Sequence, residues 1–308
     1  MDKWVAITAG FSPKDIQLAA LRVKKDASKL HKFFDHIIVG PENLNVYAPN
    51  TSLLYNNWLT GNYFGHGYFA WKAEIVHSVI NGKHGDCDGI VWIDAGCEIF
   101  TTPWTRILFK EQLKKSANSG YGVFELDTPE SRYTKLKVRQ YFGQEFVTDM
   151  SPQVQATHFF LHGQTGKEIA RVWLNASLKG IDYLDHSHSQ QEEREFVLHK
   201  SDQSLLSLSI KSLKLGERMK VPPAGNRGRL SRYSAMRAPV WVSRNRFGRT
   251  LKSKPQLKME QLFLPPLLPS SIRWRSRRPR FPARPRIASC SSCAVASARL
   301  IRSSTSRS

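Results

Sequence analysis

Three separated segments carry side chains that could act together. Asp94 and Glu98 lie four positions apart, just after the apolar run Ile90-Val91-Trp92-Ile93, with the small residues Ala95 and Gly96 following Asp94. The apolar run is rich in β-branched and aromatic residues and has the length of a buried strand. In open α/β sheets, ligands bind beyond the carboxyl ends of the strands. A carboxylate there can hold a divalent cation, and small neighbours let a phosphate-bearing ligand approach the backbone. The spacing equally suits an acid that caps the next turn, with Gly96 permitting that turn. Upstream, Phe69, Lys72, Ile75, Val76 and Val79 fall nearly in line at helical spacing from Tyr68 to Ile80. Lys72 could snorkel from the edge of the core, or bring a cation to a diphosphate or a carboxylate. Downstream, His199, Asp202 and Gln203 cluster where Ser201 can cap a helix, a place suited to anions and hydroxyl-bearing ligands. Asp202 also fits a first-turn partner of the helix dipole.

The elements that must position these groups follow an alternating order. Trp4–Ala9 reads as a strand and Gly10–Pro13 as a turn, with Ser12 as cap and Pro13 at the first helical position. A helix then runs to Leu30, burying Ile16, Ala19, Ala20, Val23 and Ala27. Asp35–Pro41 reads as a second strand stopped by Gly-Pro, and this β-α-β order predicts a parallel sheet with a right-handed crossover. Residues 41–62 are polar and turn-rich. Strand 90–93 is followed by a helix capped by Thr102 with Pro103 in its first turn and ending at Gly120, then by strand 121–126 and a turn at 127–130. In residues 131–150 the basic side chains Arg132, Lys135, Lys137 and Arg139 alternate with Tyr133 and Tyr141, as a phosphate-facing or solvated surface would. A strand at 153–163, a helix at 166–178, a polar loop with His186 and His188, and a helix from Asp202 complete the pattern. The pattern weakens after Gly225–Gly228, and a last short strand is expected at 238–243.

Charge divides the chain. The 308 residues carry a formal net charge of +21, yet residues 1–226 hold 26 Lys+Arg against 24 Asp+Glu, a balance of +2. Residues 227–308 hold 20 against the single acid Glu260, a balance of +19. A polyanion-binding surface over the whole body is therefore excluded. Residues 251–308 form an Arg/Ser/Pro-rich tail that cannot bury enough apolar surface to order itself, and its composition suggests an aberrant, out-of-frame end. Cys87 and Cys97 flank the buried strand as small hydrophobes, and the Cys290-x-x-Cys293 pair has no second ligand pair for zinc. The N-terminus has no signal-peptide core and no stretch reaches the ~20 apolar residues of a membrane span, so a cytoplasmic location is the expectation.

Tyr68-Phe69-Ala70-Trp71-Lys72, Trp92-Ile93-Asp94-Ala95-Gly96-Cys97-Glu98-Ile99 and Phe196-Val197-Leu198-His199-Lys200-Ser201-Asp202-Gln203-Ser204 together resemble bacterial nucleotide-sugar glycosyltransferases of the GT-A type. The likeness is to the capsule and lipopolysaccharide kind, with a W-K … D-A-G-C-E … H-x-x-D-Q-S pattern, and spans residues 1–250. It implies one α/β domain with a mixed, mostly parallel sheet flanked by helices. A nucleotide diphosphate sugar would lie over the first strands, with a saccharide or lipid-linked acceptor over the later half.

By position, Asp94 matches the first carboxylate of the family's Asp-x-Asp metal motif, but Gly96 stands where the second would be. Glu98 could substitute as a ligand of Mn²⁺ or Mg²⁺, or Asp94 could touch ribose or sugar hydroxyls. The resemblance assigns Trp71, Lys72 and Gly96 to the donor side, His199 to the diphosphate or the metal, and Asp202-Gln203 to the sugar or acceptor. Asp202 is the first candidate for the catalytic carboxylate and Asp94 the second. The implied function is sugar transfer in surface polysaccharide synthesis, with peripheral membrane association and no specific nucleic acid. Two other readings remain at this point: RNA binding through the basic tail, and a truncated, inactive transferase.

Overall fold

Strands β1 (Trp4–Ala9), β2 (Asp35–Val39) and β3 (Gly89–Ile93) form the parallel part of the central sheet. β1 and β3 are buried at every position, which is why they read as continuous apolar runs rather than alternating ones. The structure, a computed structural model, describes residues 2–11, 14–61, 64–187, 192–216, 219–220 and 239–241. The expected cap at Ser12 and Pro13, His188, Gly225–Gly228 and the 251–308 tail lie outside the described residues, as do both ends of the strand expected at 238–243.

Two further short strands, β4 (Glu98–Ile99) and β5 (Tyr121–Gly122), precede β6 (Phe124–Pro129), β7 (Pro152–Val154) and β8 (His158–His162). The central sheet has the order β2-β1-β3-β8-β5. β8 runs antiparallel to both of its neighbours, so the other four strands point the same way. The fold is therefore a mixed α/β sheet, mostly parallel, flanked by helices. β9 (Met219–Lys220) joins β6 and β7 in a second sheet, and β10 (Val240–Trp241) pairs with β4.

Side chains alternate across the central sheet, and each set finds its own helices. Val5, Ile7, Ile90, Trp92, Phe159 and Leu161 pack with helices Trp71–Ile80, Gly163–Ser177 and Asp202–Ser212. Trp4, Val91, Ile93 and Phe160 pack with Val23, Ala27 and Leu30 of helix Lys14–Leu30 and with Phe109 and Leu113 of helix Pro103–Ser119. Thr102 Oγ1 accepts from Thr105 N at 3.2 Å, as a cap should, and Gly120 closes the helix at φ 82°. Ile75 is fully buried between sheet and helices. Ile75→Ala is expected to destabilise by about 2–5 kcal/mol, read from the urea midpoint at constant slope.

Several expected boundaries differ for identifiable reasons. Residues 41–62, expected as a loop, contain helices Leu44–Tyr47, Pro49–Leu54 and Asn56–Thr60. Buried Glu74 accepts from the backbone N–H groups of Asn50 and Thr51 at 3.0 and 2.7 Å, capping the middle helix from a distant part of the chain. The strand expected at 153–163 is two, β7 and β8, in different sheets. Between them the chain leaves the ladder, and the Ala156 and Thr157 carbonyls turn to Lys72 and Asp94. The strand expected at 121–126 also divides, and β6 continues through the expected turn to Pro129. The basic segment is not a solvated face throughout. Lys135 and Arg139 are buried and paired with Asp185 and Glu193.

Candidate active site

β3 ends at Ile93, and Asp94 emerges on the side that Trp92 occupies, because residues two apart on a strand share a face. Helix Trp71–Ile80 packs on that same face and brings Lys72 toward the strand end. Lys72 does not snorkel: its side chain is 2% exposed. Its Nζ lies 3.1 Å from Asp94 Oδ1 and 2.8 Å from Asp202 Oδ2, and donates to Ala156 O at 3.4 Å. The rings of Phe69 and Trp92 each lie 5.2 Å from the same nitrogen. One ammonium thus joins all three segments singled out in the sequence.

Asp94 is held on two further sides. Trp92 Nε1 donates to its Oδ1 at 2.6 Å, and its backbone N–H donates to Thr157 O at 2.9 Å. The Cys97 N–H returns to Asp94 O at 2.9 Å, closing the turn that Ala95 and Gly96 make. Arg22, from the opposite side of the sheet, donates to the Ala95 and Cys97 carbonyls at 3.0 and 2.9 Å. The side chain of Asp94 remains 27% exposed, against 8% for Asp202. Asp94 is therefore the more accessible carboxylate and Asp202 the desolvated one.

Burial pushes the Asp202 carboxyl up to about 6 against the opposing pull of Lys72. Burial also acts to lower Lys72, but Asp202 and Asp94 outweigh it and the ammonium rises to about 12. At neutral pH the Asp202–Lys72 pair is ionised, and acid protonates Asp202. Between about pH 4 and pH 6 the folded protein keeps a proton that the unfolded chain has released, so stability falls as pH rises through that window. Thermal melts of Asp202→Asn are expected to lose this part of the pH dependence; an unchanged profile would remove Asp202 as its source.

Ser201 occupies the cap position of helix Asp202–Ser212 but does not cap it through its side chain. Its backbone is at φ 46°, ψ −124°, and its hydroxyl meets His186 Nε2 at 3.1 Å. A non-glycine residue with such angles stores strain, of order 1–3 kcal/mol, and here it aims the next residue, Asp202, at Lys72.

Of the other candidates, Gln203 donates through Nε2 to Gln153 Oε1 at 2.7 Å. Gln153 in turn donates to buried Glu130 at 3.2 Å, and Glu130 is paired with Lys211 at 2.7 Å. This buried polar network continues to Ser204, Ser207 and Thr134. His199 is committed internally: Nδ1 accepts from the Lys135 N–H and Nε2 donates to Tyr183 O. Burial holds it neutral, down to about 3. Trp71 donates to His66 O at 3.0 Å and packs among Phe11, Phe69 and Trp92 in the core. Glu98 lies in β4, half-buried.

The sequence reading missed Trp92 as a donor to Asp94, although their i, i+2 spacing on a strand was a usable signal. It also missed Arg22, Glu130, Gln153 and Lys211, which only the fold brings near.

Among the described residues, no three His, Cys, Asp or Glu side chains form a metal-holding group. Asp94 Oδ1 already faces an ammonium and an indole N–H. This donor set does not fit a divalent cation held by protein ligands alone.

No protein-family model matches the chain, and no curated protein matches it. Solved structures of similar chain path include a glycosyltransferase involved in glycosylation of the major capsid of PBCV-1, at 10% identity and TM-score 0.41, covering 77% of this chain and 91% of that one. Mouse xyloside xylosyltransferase 1 in its apo form matches at 11% identity and TM-score 0.41, covering 78% and 97%. The galactosyltransferase LgtC in complex with donor and acceptor sugar analogues matches at 14% identity and TM-score 0.36, covering 77% and 86%.

Proposed function

We propose that the chain is a glycosyltransferase that moves a sugar from a nucleoside diphosphate sugar to a saccharide or lipid-linked acceptor in surface polysaccharide synthesis, with residues 1–250 as its catalytic unit. The observation that supports this reading is the meeting of Asp94 and Asp202 around buried Lys72. The donor lies over the carboxyl ends of β1 and β3, where ligands of α/β sheets bind. Asp94, partly exposed there, accepts hydrogen bonds from hydroxyls of the donor. Asp202 is ionised at neutral pH yet basic enough, at about 6, to take the proton of an acceptor hydroxyl. The same carboxylates stabilise positive charge developing on the transferred sugar. Lys72 holds both in register and keeps either from turning away. Among the described residues no helix is long and apolar enough to cross a membrane. In this reading the protein works in the cytoplasm and meets a lipid-linked acceptor peripherally, at the membrane surface.

A thermal-shift screen of nucleoside diphosphates and their sugars, each with and without Mn²⁺, tests the proposal. One nucleotide series is expected to raise the melting temperature selectively, since a ligand at 100 times its Kd adds about 2.7 kcal/mol to stability. No shift from any nucleoside diphosphate in either condition would sink the reading.

A further inference from the structure

The backbone just before Trp71-Lys72 winds the wrong way. Gly65, His66, Gly67, Tyr68 and Phe69 all have positive φ, at 61°, 52°, 79°, 56° and 62°. The Phe69 N–H donates to Gly65 O at 3.2 Å and the Tyr68 N–H to Phe64 O at 2.7 Å, so this is one turn of left-handed helix. Glycine takes such angles without penalty, but His66, Tyr68 and Phe69 do not, and left-handed helix is strained at each L-residue. Strain at three residues in a row of five persists where the surrounding structure holds their side chains in place.

The turn directs them to two places. The His66 ring stacks on Phe11, just beyond β1, with centroids 4.6 Å apart and planes at 13°. Tyr68 and Phe69 join a second group of rings. Tyr68 meets the His186 ring edge-on at 5.2 Å, Phe64 meets His186 at 5.0 Å, and Phe64 meets Phe69 at 5.6 Å. Phe69 covers Lys72, and His186 reaches Ser201, the strained residue before Asp202. A continuous aromatic wall therefore runs from the Lys72–Asp202 pair out to Phe64, which is 51% exposed.

We propose that Phe64, Tyr68 and His186 form an acceptor subsite that seats a pyranose ring beside Asp202. The inference rests on the glycosyltransferase reading and goes beyond it by placing a sugar ring of the acceptor on named residues. A pyranose ring is amphipathic: its axial C–H face packs on aromatic rings while its hydroxyls need polar partners. This wall offers both, with exposed ring surface at Phe64 and polar groups at the Tyr68, His186 and Asp202 end. A purely apolar partner would leave the Asp202 end unmatched.

Saturation-transfer NMR on the full chain tests the subsite, using methyl glucopyranoside, galactopyranoside and mannopyranoside as probes and the nucleoside diphosphates of the screen as a second set. At least one pyranoside is expected to take saturation mainly on its axial ring protons. Phe64→Ala is expected to weaken that binding about 3–10-fold, from the loss of one aromatic contact. Phe64→Trp is expected to retain it. Nucleotide binding should be the same in all three proteins, which also verifies that the variants are folded. Pyranoside binding unchanged in Phe64→Ala would overturn the subsite, as would nucleotide binding with no pyranoside bound. If neither set binds the wild-type chain, the glycosyltransferase reading falls with it.

Discussion

Asp202→Asn is expected to lower the transfer rate by about 10²–10⁴-fold, the usual contribution of a positioned proton acceptor, while the protein stays folded. The substitution keeps the size of the side chain and one hydrogen-bonding oxygen, and Lys72 retains Asp94 at 3.1 Å. What disappears is the basic carboxylate. The pH profile separates this role from a structural one. With Asp202 at about 6, wild-type turnover should rise as pH climbs through 6, because the working form is the deprotonated one. In Asp202→Asn the residual activity should lack that limb. Asp94→Asn is expected to be as damaging to turnover but to keep the Asp202 limb, moved to lower pH, because the Asp94 charge is one of the groups that raise Asp202. Wild-type-like turnover in either variant would refute the assignment.

Lys72→Met is expected to be the most destabilising single change at the site, by about 3–5 kcal/mol, because it leaves buried acid without its cation. Methionine fills the volume of the stem, so little of the effect comes from a cavity. Most of it belongs to Asp202, whose side chain is 8% exposed; Asp94, at 27%, recovers part of its solvation from water. The charge argument predicts a rescue. Adding Asp202→Asn to Lys72→Met removes the stranded carboxylate and should return most of the lost stability, while activity stays at or below that of Asp202→Asn. Urea unfolding of the two single variants and the double variant measures the coupling as a thermodynamic cycle. Additive losses would mean that Lys72 is held by packing rather than by its acids.

The three segments that carry the site were legible because each has a local signature. Ile90–Ile93 is an apolar run ended by an acid. The residues from Trp71 on have a 3.6-residue period that puts Lys72 in line with Ile75, Val76 and Val79. Asp202 opens a helix that carries Leu205, Leu206, Leu208 and Ile210, after a polar loop. β1 and the helices from Pro103 and Asp202 likewise announce themselves through strand composition, a Thr-Pro start and a run of leucine and isoleucine. Short-range sterics and hydrogen bonding suffice to produce those signals.

Other features depend on groups that are distant in sequence. Glu74 caps a helix twenty-odd positions upstream, so residues 41–62 look like loop when read alone. Gln155–Thr157 interrupt what reads as one strand, and there the Ala156 and Thr157 carbonyls meet Lys72 and Asp94. The left-handed turn at Gly65–Phe69 contradicts the intrinsic preference of three of its five residues, and no local rule forecasts it. His199 looked like a ligand because histidine commonly is one; its two partners, Lys135 N and Tyr183 O, are far away in the chain.

The sequence by itself determined the alternating α/β order, the near-neutral body with a basic tail, and the identity of the acids and the lysine. Only the tertiary structure decided that Lys72 is an internal counter-ion rather than a surface cation, and that Asp202 rather than Asp94 is the desolvated carboxylate. The reason is physical. Propensity and periodicity are properties of neighbours along the chain, whereas desolvation and ion pairing depend on what the fold brings within about 4 Å, where the effective dielectric, not the residue type, sets the strength of a charge.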